Sequence, residues 1–131
     1  MSENIYVGVD LGGTAIKVGI CNAEGNLLHT FEGPTGTADG VDTVIDNIEK
    51  YVRQIVEDSP YSWDQLAGVG AGVAGFTNIR EGIIILAPNI GFRDVPIRSI
   101  LEGRLNKPVK IDNDANVAAL GEAWCGAGQG I

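Results

Sequence analysis

Hydrophobic and polar positions follow two different periods along the chain. Three short apolar runs, residues 5–10, 15–21 and 26–32, are separated by glycine-containing turns. Short turns between consecutive apolar runs predict antiparallel strands. Residues 40–57 then carry apolar side chains at every third or fourth position, with charged residues between them, which predicts an amphipathic helix.

The rest of the chain predicts two further strand–helix units. Residues 67–74 are small and apolar, as in a strand buried on both faces, and 76–89 are typical of a small hairpin. The remaining predicted elements are a helix over 96–106, a strand over 109–113 and a helix over 114–128. Strands joined through a helix are expected to run parallel. The order βββαβαβα therefore predicts an α/β domain with a five-stranded mixed sheet and helices on both faces.

Composition and charge narrow the classes of function. Of the 131 residues, 44% are hydrophobic and the net charge is −8, which disfavours nucleic acid or an anionic membrane as a partner. No apolar run approaches the length of a membrane span, and residues 1–10 lack the features of a signal peptide. Cys21 and Cys125 have no C-x-x-C spacing, so we expect two reduced thiols in a cytoplasmic protein.

Asp10, Gly12, Gly13 and Thr14 stand at the turn between the first two predicted strands. A tight hairpin with positive φ would explain the glycines alone. A phosphate-binding turn explains more, because glycine lets backbone N–H groups approach anionic oxygens and a carboxylate can hold Mg²⁺. Lys17 offers a positive charge, although strand alternation leaves its direction open. The segment is not a Walker A loop, since a strand follows it.

Residues 70–75, GAGVAG, match the G-x-G-x-x-G pattern of dinucleotide-binding folds. That fingerprint must open a helix, whereas a hairpin is predicted here, so we reject an NAD-dependent oxidoreductase. We interpret these glycines as positions of tight packing and as a backbone edge beside a ligand cleft.

Polar residues cluster after the strand predicted over 109–113. Asp112, Asn113, Asp114 and Asn116 fall within five positions, whereas capping the next helix requires one such residue. Ligands of open α/β sheets bind at the carboxyl ends of the strands, and a carboxylate among amides suits a polyol that must lose a proton. On this segment alone, capping and ligand binding stay equally open.

Together, these segments resemble one family. DLGGTAIKVGI, GAGVAG, LAPNIGF and IDNDANVAALGEAWCGAG are similar to the N-terminal half of ROK-family sugar kinases, bacterial glucokinases above all, over about residues 5–130. The resemblance implies an actin-like ATPase (ribonuclease-H-like) domain with sheet order 3-2-1-4-5. It also implies a two-domain enzyme in which 1–131 is the N-terminal domain. The C-terminal domain, with any structural zinc, would lie outside this chain.

The resemblance also implies roles for individual residues. The ATP phosphates would be met by Gly12, Gly13, Thr14 and Lys17, with Asp10 near Mg²⁺. The sugar would be bound by Gly75, Asn89, Asn113 and Asp114. Asp114 would also be the catalytic base.

The implied reaction is ATP-dependent phosphorylation of a hexose 6-hydroxyl, as in glycolysis. Glucose is the first expectation, while other hexoses and N-acetylhexosamines stay open. We expect this half to be inactive alone, because half of each site is missing. A homodimer is left open for the full-length protein.

Two rival classes share parts of these motifs. A ROK repressor or sugar sensor without kinase activity is the first, but repressors carry a helix-turn-helix ahead of this domain, and a strand from residue 5 leaves no room for one. A structural or chaperone-like ATPase of the actin superfamily is the second. The segments NDAN and APN favour a sugar kinase over it.

Overall fold

The computed structural model describes residues 4–22, 24, 26–73 and 75–113, except for the side chains of 112 and 113. Its strands and helices are β1 (Ile5–Leu11), β2 (Ala15–Asn22), β3 (Leu27–Pro34), α1 (Val41–Glu57), β4 (Leu66–Val73), β5 (Phe76–Asn78), β6 (Ile83–Ala87), β7 (Phe92–Val95), α2 (Ile97–Leu105) and β8 (Val109–Asn113). The helix predicted over 114–128, which includes Asp114, lies outside the described residues.

The main sheet has five strands in the order β3-β2-β1-β4-β8. β1, β2 and β3 form an antiparallel meander, while β1, β4 and β8 are parallel. Counting only the strands of this sheet, the order is 3-2-1-4-5, so the predicted mixed sheet and its strand order are confirmed. The parallel part arises because α1 and α2 each precede a strand that joins the sheet on the far side of β1.

One face of the main sheet is aliphatic. Val7, Val9 and Leu11 of β1 pair in register with valine or alanine side chains of β4, and this layer is buried. α1 covers it with seven buried residues, and Arg53 of α1 donates a hydrogen bond of 2.9 Å to the carbonyl of Arg104 in α2. Both described helices therefore pack on this side. Neither is long and apolar enough to cross a membrane.

The other face of the main sheet is lined by glycines at its centre. Gly8 of β1 pairs with Gly19 of β2 and with Gly70 of β4, and Gly68 and Gly72 alternate onto the same face. The glycines of β1 and β4 are buried. Since β5 rather than a helix follows β4, the structural context of a dinucleotide fingerprint is absent from the described residues.

A second, three-stranded sheet follows β4. The predicted hairpin is present as β5 and β6, but β7 pairs antiparallel with β6 and was missed. β7 has only four residues, and its two central residues, Arg93 and Asp94, are charged and exposed. Short polar-centred strands carry no alternation signal of their own, so their pairing partner decides their conformation.

The expectation of two reduced thiols is wrong for Cys21. This residue is fully buried near the end of β2 and is disulfide-bonded in the structure. Its partner lies outside the described residues. The prediction relied on spacing along the chain, whereas disulfide formation depends on the distance between the two Cα atoms in the fold.

Candidate functional site

Three parallel strands end side by side at one edge of the main sheet. Leu11 at the end of β1 pairs with Val73 at the end of β4, and Val73 pairs with Asn113 at the end of β8. The glycine turn after β1, Gly75 after β4 and the last residue of β8, Asn113, therefore all lie at this edge. The carboxyl edge of parallel strands is where ligands of open α/β sheets bind.

The turn 12–14 is held by a segment that follows β3. The Thr35 hydroxyl donates a hydrogen bond of 2.7 Å to the Gly12 carbonyl, and the Thr37 hydroxyl donates one of 2.8 Å to the Gly13 carbonyl. The backbone N–H of Thr35 donates to the Thr14 carbonyl at 3.0 Å. All three carbonyls of the turn are thus bonded to residues 35–37.

The N–H groups of Gly13 and Thr14 point away from residues 35–37. In a trans peptide the N–H and C=O groups of one plane point in opposite directions, and the described residues contain no cis peptide. Neither N–H has an acceptor within the part of the chain that the structure describes. Two adjacent outward N–H groups, beside the hydroxyl of the exposed Thr14, are hydrogen-bond donors suited to an anion.

Asn89 lies directly against this turn. A Cβ added to Gly13 would come within 3.3 Å of the Asn89 Cβ and carbonyl oxygen, so a side chain at position 13 would fit only if Asn89 moved by a few tenths of an ångström. Gly75, with φ of 142°, makes a similar approach to β6, where an added Cβ would lie 2.4 Å from the Leu86 carbonyl oxygen. These two contacts hold the exposed Asn89 at the edge where the parallel strands end.

Asp10 is half-buried at the next-to-last position of β1. It pairs in register with Gly72 of β4, which pairs with Asp112 of β8. No group of three or more His, Cys, Asp or Glu residues that could hold a metal occurs among the described residues. A single carboxylate nevertheless fits Mg²⁺, which usually keeps several waters and takes other ligands from substrate phosphates.

Lys17 lies across the strand pair from Asp10. Its other cross-strand neighbour is Glu32 of β3, so the strand register places Lys17 between two acidic residues on one face. Cross-strand pairs of opposite charge stabilise a sheet modestly. The Lys17 side chain, whose direction the sequence left open, therefore lies on the same face of the sheet as Asp10. A contact of Lys17 with phosphate stays a prediction.

The structure gathers most of the predicted site. Gly12, Gly13, Gly75, Asn89 and the backbone of Asn113 share one edge of the sheet, and Asp114 lies outside the described residues. Thr35 and Thr37 were missed. The strand topology could have indicated them. Because β3 runs antiparallel to β2, the residues that follow β3 lie beside the turn that precedes β2.

Comparison with known proteins identifies the relatives of this chain. The sequence model of the ROK family matches residues 6–131. The glucokinase of Halalkalibacterium halodurans is 42% identical over 130 residues, covering 99% of this chain and 39% of that protein. A xylose repressor of Caldicellulosiruptor bescii is 36% identical, covering 92% of this chain and 30% of the repressor.

The structural comparison agrees. The crystal structure of a ROK family glucokinase from Streptomyces griseus in complex with glucose and AMPPNP matches with a TM-score of 0.78 and 36% identity, covering 97% of this chain and 38% of that one. The fold is thus that of an actin-like ATPase domain. The chain belongs to the ROK family, and it spans less than half the length of these relatives.

Proposed function

We propose that the full-length protein carrying this chain is an ATP-dependent sugar kinase, with the 6-hydroxyl of glucose as the first candidate acceptor. The observation that carries the proposal is the turn 12–14, whose outward N–H groups lie against Asn89 at the carboxyl edge of the parallel strands. The similarity to two glucokinases supports it. We place the reaction in the cytoplasm, where ATP is made and sugars are consumed.

On the nucleotide side, the chain's own residues supply hydrogen-bond donors. The N–H groups of Gly13 and Thr14, with the Thr14 hydroxyl, would bind the phosphate oxygens of ATP. Asp10 would bind Mg²⁺ directly or through water, and the metal would neutralise charge on the phosphates. Phosphoryl transfer depends mainly on such positioning and charge neutralisation, so no covalent group is required from this surface.

On the sugar side, the proposal assigns Gly75, Asn89, Asn113 and Asp114. Asn89 has an exposed side chain next to the turn 12–14. A sugar bound to its amide would have its acceptor hydroxyl close to the phosphates. Asp114 would orient the 6-hydroxyl in line with the γ-phosphate and accept its proton as the O–P bond forms. A carboxylate with an ordinary pKa of about 4 is a weak base for an alcohol, so orientation and late proton capture would account for about 10²–10⁴-fold.

A coupled ADP-release assay on the full-length protein tests the proposal. Mg-ATP is combined with a panel of hexoses and N-acetylhexosamines, and Asp114→Asn is compared with Asp64→Asn, an exposed aspartate away from the strand edge. We expect turnover with glucose that falls at least about 100-fold in Asp114→Asn and is unchanged in Asp64→Asn. If Asp114→Asn is folded and turns over at the wild-type rate, Asp114 is not the catalytic base.

A sugar-responsive regulator is the second candidate, because the xylose repressor of C. bescii is 36% identical to this chain. A regulator would bind sugar without releasing ADP. Calorimetry of glucose and xylose binding, run beside the kinase assay, separates the two. Sugar binding without turnover by any panel member would favour the regulator.

A further inference from the structure

We propose that Thr35 and Thr37 are positioning residues that set nucleotide affinity through the turn 12–14. The inference rests on the proposed kinase function, because it takes ATP as the ligand of that turn. Neither side chain is expected to touch the nucleotide. Each acts by holding a carbonyl of the turn inward, which turns the N–H of the next residue outward.

The turn needs an external support because of its composition. Two consecutive glycines have more backbone freedom than any other pair, so fixing them in one conformation costs more conformational entropy than fixing other residues. A rotation of the 12–13 or 13–14 peptide would point its carbonyl at the anion site in place of an N–H. The two hydroxyl hydrogen bonds, at 2.7 and 2.8 Å, oppose that rotation one peptide at a time.

The supporting segment is itself anchored to α1. The Tyr51 hydroxyl donates a hydrogen bond of 2.7 Å to the Pro34 carbonyl, and the Asn47 amide donates one of 3.1 Å to the Thr35 carbonyl. Burial raises the pKa of Tyr51, which keeps its hydroxyl protonated and able to donate. Residues 34–37 therefore connect a packed helix to the turn, and Thr35 is fully buried between them.

Substitutions that remove one hydroxyl at constant shape test the inference in the full-length protein. Thr37→Val is the main variant, since Thr37 is only half-buried, and Thr37→Ser restores the donor. Thr35→Val tests the second peptide. Thr43→Val is the matched control, because the Thr43 hydroxyl donates to the Asp39 carbonyl and to no group of the turn, and valine keeps the methyl that lies beside Gly36.

The expected result is a selective loss on the nucleotide side. We expect Thr37→Val to lower kcat/KM for Mg-ATP about tenfold, the worth of one lost hydrogen bond, while KM for glucose changes less than about twofold. Thr37→Ser should recover most of the loss, and Thr43→Val should resemble the parent. Calorimetry of AMPPNP with Mg²⁺ should show the same ranking of affinities.

Several outcomes would overturn the inference. A folded Thr37→Val with parental kcat/KM for Mg-ATP excludes a positioning role, and so does an equal loss for both substrates that tracks a lower melting temperature. If Thr35→Val fails to fold, the Thr37 variants decide alone. If the parent phosphorylates no sugar, the proposed function fails, and AMPPNP affinity decides the inference: weaker binding by Thr37→Val supports it, and equal or undetectable binding by the parent and the variant overturns it.

Discussion

Two glycine-rich segments meet at the carboxyl edge of the main sheet, and they use glycine differently. In the turn 12–14, glycine leaves N–H groups open to a ligand while the carbonyls are bonded behind them. In the segment 68–75, the glycines of β4 lie buried on one face of the strand, and Gly75 lets two backbones approach. The first segment presents backbone N–H donors, whereas the glycines of the second have no side chains and so let neighbouring backbones pack closely.

The difference shows why a glycine pattern alone is ambiguous. GAGVAG matches a known nucleotide-binding pattern and yet serves packing and backbone approach, while the shorter LGGT carries the outward donors. The distinction depends on where the carbonyls are bonded, and that in turn depends on a third segment, 34–37. Substitutions in the turn 12–14 should therefore act first on nucleotide kinetics, whereas those in the segment 68–75 should act first on stability.

The largest effect is expected for Gly12→Ala. An added Cβ would lie 2.8 Å from the Ala15 carbonyl oxygen, which is also the acceptor of the Gly12 N–H, so the turn must shift. Displaced donors at a charged transferring group should lower kcat/KM for Mg-ATP about 100-fold, a larger effect than the loss of stability that the same clash causes. Steady-state kinetics of the full-length protein measure this. Parental activity in Gly12→Ala would separate the turn from the phosphates.

Gly75→Ala should lower stability in addition to moving the backbone that is proposed to meet the sugar. The φ of 142° is strained for alanine, and the added Cβ would lie 2.4 Å from the Leu86 carbonyl oxygen, which is backbone and cannot rotate away. We expect the free energy of unfolding to fall by about 2–3 kcal/mol in urea titrations.

Gly91→Ala is the control for the clash at Gly75. Gly91 has φ of 70° with nothing within 4 Å of an added Cβ, so alanine at this position would add backbone strain without a steric clash. It should cost only about 1 kcal/mol. Equal losses in Gly75→Ala and Gly91→Ala would show that the contact with β6 contributes nothing.

Tyr51→Phe should weaken the anchoring of residues 34–37, which support the turn 12–14. It removes the hydrogen bond to the Pro34 carbonyl and should lower the free energy of unfolding by about 1 kcal/mol near neutral pH. Because burial raises the pKa of Tyr51, the hydroxyl's contribution is present below the ordinary tyrosine pKa of 10.0 and is lost as pH rises through the raised pKa of the folded protein. Urea titrations from pH 7 to 11 should show the difference between the two proteins shrinking, and a difference that grows with pH would contradict this.

Gly103→Ala should have the smallest effect and the opposite sign. Gly103 is exposed within α2, and an added Cβ would meet nothing within 4 Å. Alanine should stabilise the helix by about 0.5–1 kcal/mol without changing kinase kinetics. Thermal unfolding and the ADP assay measure both. A loss of stability would mean that α2 has a contact at this position beyond the described residues.

Much of the fold was predictable from local patterns. The apolar periodicity over 40–57 predicted α1, whose seven buried residues follow that period. The short turns between the first three runs predicted the meander, and the crossover rule predicted the parallel strands. β7 was not predictable in this way, because its exposed charged centre is held by pairing with β6 rather than by its own pattern.

The candidate site likewise has a part that was predictable from sequence and a part that was not. The chemistry of Asp10, Gly12, Gly13 and Thr14 was readable because carboxylate, glycine and hydroxyl adjoin in sequence. The contact of Gly13 with Asn89 was not derivable from either segment by itself, since it joins residues far apart along the chain. The same applies to Lys17, whose face was decided only by its register with β1 and β3.

The sequence by itself determined most of the helices and strands, the antiparallel meander, the parallel direction of β4 and β8 and the residue types at the carboxyl edge of the main sheet, because these follow from local periodicity and chain connectivity. The strand order came from the resemblance to the ROK family. Only the tertiary structure decided which groups face the ligand side. Thr35 and Thr37 reach the turn 12–14 because β3 returns antiparallel beside β2. The orientation of a peptide plane depends on the partner of its carbonyl. In this protein the partners are the hydroxyls of Thr35 and Thr37, which lie more than twenty positions along the chain from the turn.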